Sequence, residues 1–165
     1  MNKLLATDSN NVTALIARIT LGIVIFPHGA QKLLGWFGGY GYSGTMGFLT
    51  GMMHLPWIVA LLVILIEFFG ALLLIFGFAT RLAALGLIGN FIGIVYTSHL
   101  HNGFFMNWNN TPGLGQGFEY HLLVIGVSLA LLIAGGGKWS IDATLAKSSI
   151  SNRNPAIKKG IVFDA

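Results

Sequence analysis

Residues 57–81 read WIVALLVILIEFFGALLLIFGFATR, a run in which only Glu67 and Arg81 carry charge. A helix rises about 1.5 Å per residue and the hydrocarbon core of a bilayer is about 30 Å thick, so about 20 apolar residues suffice to cross it. The run is therefore read as a transmembrane helix with Trp57 near one boundary and Arg81 near the other. Glu67 follows Trp57 by ten residues and precedes Arg81 by fourteen, which puts it about 15 Å from one boundary and about 21 Å from the other. A carboxylate at that depth costs about 2.5–3.5 kcal/mol on insertion scales unless it is paired, protonated or wetted by a cavity. Glu67 is therefore expected to face the protein interior. It is either a functional group or a neutral side chain that ties two helices together.

Working outward, the remaining apolar segments lie at 12–34, 82–101 and 118–136, beside 57–79 for the run just described. None alternates in the manner of barrel strands, and unpaired backbone is costly in lipid, so helices are expected. The composition agrees. Of 165 residues, 55% are hydrophobic and only 8% charged, too few charges to cover a soluble surface. The fold class expected is all-α: an integral membrane four-helix bundle over residues 1–147, followed by a polar cytoplasmic tail at 148–165.

Lys and Arg orient the bundle. Lys3 and Arg18 precede or begin the first span, Arg81 sits in a tight turn at 79–82, and Lys138, Lys147, Arg153, Lys158 and Lys159 follow the fourth. Loops 35–56 and 102–117 contain neither residue. The asymmetry predicts both termini on the cytoplasmic side, with the two longer loops outside. The first span is expected to serve as its own targeting signal. A net charge of +4 raises the question of nucleic acid, but the basic residues flank apolar runs instead of forming a stripe, which excludes it. The absence of cysteine rules out disulfides, thiolate nucleophiles and thiolate metal sites. A short interfacial helix is expected at 43–54. Small residues at helical spacing, Gly86, Gly89 and Gly93 or Gly126, Ala130 and Ala134, predict close helix packing and leave homo-oligomerisation open.

The outer end of the first span carries the densest polar chemistry. His28, Gln31 and Lys32 stand at i, i+3 and i+4 and share one helix face. Pro27 removes a backbone donor and is expected to open the helix, leaving the Ile23 carbonyl without its partner. His28 then acts as acid, base or hydrogen-bond donor beside a pocket. The structural alternative is a histidine satisfying the freed carbonyl while Lys32 snorkels to the headgroups. Asn90 is expected to bridge two helices. All five histidines fall in the outer half. His99, His101, Glu119 and His121 offer metal-ligand atoms, but residues two apart on a helix point about 200° apart, so no metal is assigned. Bis-histidine haem through His28 finds no support in the spacing.

Four ordered stretches resemble the DoxX family: 27–32 with Gly35-Trp36-Phe37-Gly38-Gly39; Glu67 with Gly70 and Gly77-x-x-Thr80-Arg81; Asn102-Gly103-Phe104-Phe105; and Glu119-Tyr120 with 137–142. The resemblance implies a four-helix bacterial inner-membrane protein linked to redox work, related to the membrane subunit of thiosulfate:quinone oxidoreductase. It implies a quinone as cofactor or substrate and a redox partner protein. Glu67 and His28 are the expected catalytic groups, with His28, Gln31, Lys32, Glu67, Glu119 and Tyr120 binding the ligand. The expected function is a quinone-interacting redox subunit; the alternative is a non-catalytic membrane scaffold or a binder or transporter of a small hydrophobic molecule.

Overall fold

The computed structural model describes residues 7–153, which contain helices and turns and no strand. Helix α1 spans Val12–Leu34, α2 Gly41–Gly47, α3 Trp57–Phe76, α4 Thr80–Ile94, α5 Glu119–Ala134 and α6 Ile141–Arg153. A π-turn at Phe48–Met52 prolongs α2, giving the short helix expected in the first loop. A π-turn at Val95–His99 and a 3-10 turn at Leu100–Asn102 prolong α4. Helices α1 and α3, and α4 with its extensions, are long and apolar enough to cross a membrane; α5, at 16 residues, is apolar but shorter. Side chains such as Ile16, Ile23, Leu62, Phe69, Leu82 and Ile133 are exposed, an apolar surface suited to lipid and not to water.

Three details depart from the sequence reading. The turn after α3 lies at Gly77–Ala79, so Arg81 belongs to the first turn of α4. Helix α6 runs to Arg153, into the segment expected to be a polar tail; residues 154–165, with Lys158 and Lys159, and Lys3 lie outside the described residues. Finally, α1 continues as one helix through Pro27. Its packing on α3 explains why. A Cβ at Gly29 would stand 2.5 Å from the Phe68 backbone, and one at Gly22 2.7 Å from Ile75. These glycines flank Pro27 and let two backbones touch, which outweighs the single hydrogen bond that proline forfeits.

Helix α1 packs on α3, α3 on α4, α4 on α5 and α5 back on α1. Leu21, Ile25, Leu74, Leu87, Phe91 and Leu131 form the core between them. A second cluster joins Met46 and Leu49 of the first-loop segment to Ala60 and Ile64 of α3, seating that segment against the end of α1 and the start of α3.

The opposite end of the helices is tied by charge. Arg18 is 1% exposed and donates to five backbone carbonyls: Nε to Gly136, Nη1 to Leu74 and Ile75, Nη2 to Lys138 and Trp139, at 2.6–3.2 Å. The carbonyls at a helix C-terminus have no partner within the helix and carry its negative end. Arg18 satisfies those of α3 together with the turn after α5. Arg81 donates to Leu132 and Ile133 at the end of α5. Asp142 completes the fastening, accepting from the Ala79 and Thr80 amides at 2.8 and 2.9 Å, a carboxylate on the positive end of α4. Ser140 accepts from the Ala143 amide and caps α6.

Two of the stretches that carry the family resemblance, 77–81 and 137–142, are thus fastenings of the fold. Replacing Arg18 with Leu strands several buried carbonyls at about 1–3 kcal/mol each. Arg18→Leu is expected to lower the thermal unfolding midpoint in detergent much more than Lys147→Leu on exposed α6.

Candidate functional site

The site forms where three helices present one polar residue each. Lys32 sits in the last turn of α1, Glu67 at the middle of α3 and Asn90 two-thirds along α4. The close approach at Gly29 brings α1 onto Glu67 and Phe68, which puts Lys32, nearly one turn later, beside the carboxylate. Lys32 Nζ donates to Glu67 Oε2 at 2.5 Å, and Asn90 Nδ2 donates to Glu67 Oε1 at 3.1 Å. Each carboxylate oxygen therefore has a donor. Glu67 is 1% exposed, whereas the Lys32 side chain keeps 29% of its surface. The ammonium of Lys32 is turned to Glu67, so the snorkelling alternative does not hold.

Other residues surround this trio. His28 is exposed and lies within electrostatic range of both Lys32 and Glu67. Tyr120, at the head of α5, also feels the Glu67 charge; its ring meets Phe91 edge-on, and its hydroxyl is buried without a partner. Gln31 donates to the Phe37 carbonyl at 3.2 Å and so points to the first loop. Glu119 is placed elsewhere. Its Oε1 accepts from the Met106 amide and Trp108 Nε1, at 3.1 and 2.7 Å, and organises the loop between α4 and α5. Asn107 pins the same loop through Thr111 and Leu114.

The remaining histidines do not gather into a ligand set. The His99 and His121 rings lie 4.3 Å apart, and His99 Nδ1 bonds to the Gln116 carbonyl. His101 is exposed and Glu119 is engaged by Trp108. Among the described residues no three metal-ligating side chains converge. The sequence reading weighed Asn90 only as a helix bridge, which it is, but did not place it on Glu67. The signal available was its position on the same face as Gly86 and Gly93.

A cleft of about 830 Å³ opens beside the trio, lined by Gln31 and Lys32 of α1 and by Gly39, Tyr40, Thr45 and Phe48 of the first loop. A cavity of about 260 Å³ adjoins its far side, walled by Leu49, Val63, Asn90 and Ser98 among others. Glu67 thus stands between two openings, reached through Lys32 on one side and Asn90 on the other. Such a site can hold a mostly apolar molecule and offer its carbonyl groups an ammonium and an amide.

These features define a multi-pass membrane protein with an ion pair buried between its helices. The chain belongs to the DoxX family, whose model matches residues 13–100, a segment that contains Lys32, Glu67 and Asn90. It is similar to the inner membrane protein YqjF of Escherichia coli, 36% identical over 137 residues covering 83% of this chain and 95% of the relative. It is also similar to a Bacillus subtilis protein named "Putative oxidoreductase CatD", 31% identical over 124 residues, 74% of this chain and 81% of that one. A third relative, the inner membrane protein YphA of E. coli, is 27% identical over 135 residues, 79% of this chain and 89% of that relative. No solved structure matches the chain. With the apolar helices, these relatives place the chain in the bacterial inner membrane.

The pairing has a measurable signature. Lys32→Met leaves the Glu67 charge buried without its counter-ion and is expected to cost about 3–5 kcal/mol. Lys32→Met combined with Glu67→Gln, which removes the charge but keeps an acceptor for Asn90, is expected to recover most of that loss in detergent unfolding. Additive losses contradict the coupling.

Proposed function

We propose that the chain crosses the inner membrane four times, both termini cytoplasmic, and binds a quinone as the membrane subunit of a redox system. Support for the orientation is the common location of Arg18, Arg81, Lys138 and Lys147 at one end of the helices, and the lack of Lys and Arg in both opposite loops. Helix α5 is the fourth span in this reading. Its 16 residues cover about 24 Å, and the bilayer thins locally to meet it.

The observation that carries the functional reading is the buried carboxylate between an ammonium and an amide, beside a cleft large enough for an aromatic dicarbonyl. Structural glue alone needs no adjoining cleft. A quinone supplies a two-electron, two-proton couple. Lys32 and Gln31 line the cleft and hold carbonyl oxygens, and His28, about one turn before Lys32 on α1, is the proton-exchanging group. Glu67 fixes the ammonium of Lys32 and takes up or releases a proton as the neighbouring charge changes. Tyr120 brings an unpartnered hydroxyl to the same region. Electrons come from a partner protein or its redox group, since the chain has no cysteine couple of its own. The relative named as an oxidoreductase is in keeping with this assignment.

Purified protein is expected to yield a quinone on solvent extraction, and to bind added benzoquinones with an affinity that Lys32→Met or Glu67→Gln lowers by about tenfold or more, the worth of one good polar contact at 1.4 kcal/mol. Binding unchanged in both variants removes the assignment. Binding that never couples to reduction by membrane dehydrogenases favours a carrier or scaffold instead.

A further inference from the structure

Three openings share walls. The cleft beside Lys32 and the cavity beside Asn90 are divided by Leu49, which lines both. That cavity in turn shares Ile66, Gly89 and Asn90 with a groove of about 480 Å³ between α3 and α4. The groove lies among exposed Phe69, Leu82 and Leu85, on the surface that faces lipid. Its lining is apolar apart from Asn90. Gly89 keeps the floor open: a Cβ added there meets no atom within 4 Å, and the same holds one turn on at Gly93. Glycine costs helix stability, and at a contact it permits close packing. No atom of another helix lies within 4 Å of the side-chain position at either residue, so close packing there does not account for them. An open lane does.

We infer that the α3–α4 seam is the chain-binding arm of the site: its ligand is a lipophilic quinone that enters sideways from the bilayer, its chain lying over Gly89 and its head reaching Asn90. Asn90 suits that end. Its Nδ2 has two hydrogens, of which Glu67 takes one, leaving one for a carbonyl of the ligand. A chain in the groove replaces lipid against apolar walls, so it adds reach and orientation more than affinity. The inference rests on the quinone reading for the head and on the cavities alone for the lane, and the two parts fail separately.

The chain contains no cysteine, so one introduced thiol reports cleanly. Val63 lines the cavity. Val63→Cys, reconstituted in phosphatidylcholine vesicles, is treated with pyrenyl maleimide, which partitions into lipid, or with a charged methanethiosulfonate confined to water. Rapid labelling by the apolar reagent alone is expected, and its loss when Gly89→Leu is added. Gly93→Leu serves as the second blocking variant, and both variants should keep the parent's unfolding midpoint because their side chains enter open space. Equal labelling with and without the added leucine overturns the lane, as does faster labelling by the charged reagent. In the second arm, Gly89→Leu is expected to weaken binding of a decyl-substituted benzoquinone and spare the unsubstituted one. Equal weakening of both overturns the chain-binding arm. Blocked labelling in a protein that binds neither quinone overturns the head assignment and retains the lane.

Discussion

A hydrocarbon interior offers no water to an unpaired charge, so every ionic group drawn into it has to find its partner within the protein. The fold is organised by two solutions to that requirement. At one end the guanidinium of Arg18 is shared among carbonyls left over where helices stop. Midway along α3 the carboxylate of Glu67 meets a cation from α1 and an amide from α4. Between these two points α1 lies against α3 with glycine backbones almost in contact. The ionic groups set the register of the helices along their axes, and the glycines set how near they come.

The two places differ in what they leave unused. The donors of Arg18 are fully engaged, its surroundings are closed and the residue has no reason to move. Glu67 has both oxygens occupied, yet Lys32 is part-exposed, Asn90 has a hydrogen to spare and Tyr120 brings a buried hydroxyl without a partner. The proposed ligand site lies at the second place, whose polar groups are incompletely matched to each other.

The long helices were legible from hydropathy alone, since a span of about 20 apolar residues has few other homes. The depth of Glu67 followed from simple counting, and so did its need for a partner. Which partner did not follow. Lys32 near a membrane boundary suits snorkelling and pairing equally well until α3 is known to lie against Gly29. Arg18 read as an orienting charge because basic residues at span ends commonly are; nothing local to it signals carbonyls that lie 56 to 121 residues away. Glu119 was drawn to the site by its place at the head of α5. It is held off by Trp108, a residue in an irregular loop where periodicity carries no information. Pro27 misled for a related reason, since the cost of a missing hydrogen bond is local and the packing that covers it is not.

The carbonyl partners of Arg18 also impose an order on biosynthesis. Gly136, Lys138 and Trp139 supply three of its five hydrogen bonds, and they follow α1, α3, α4 and α5 in the chain. Until they are in place the first helix carries a guanidinium whose native shell is incomplete, a standing bias toward the lipid headgroups at that end. Emergence of the 136–142 segment removes that bias and fastens α3, α4 and α5 together. The shell of Arg18 is therefore completed by the turn that follows α5.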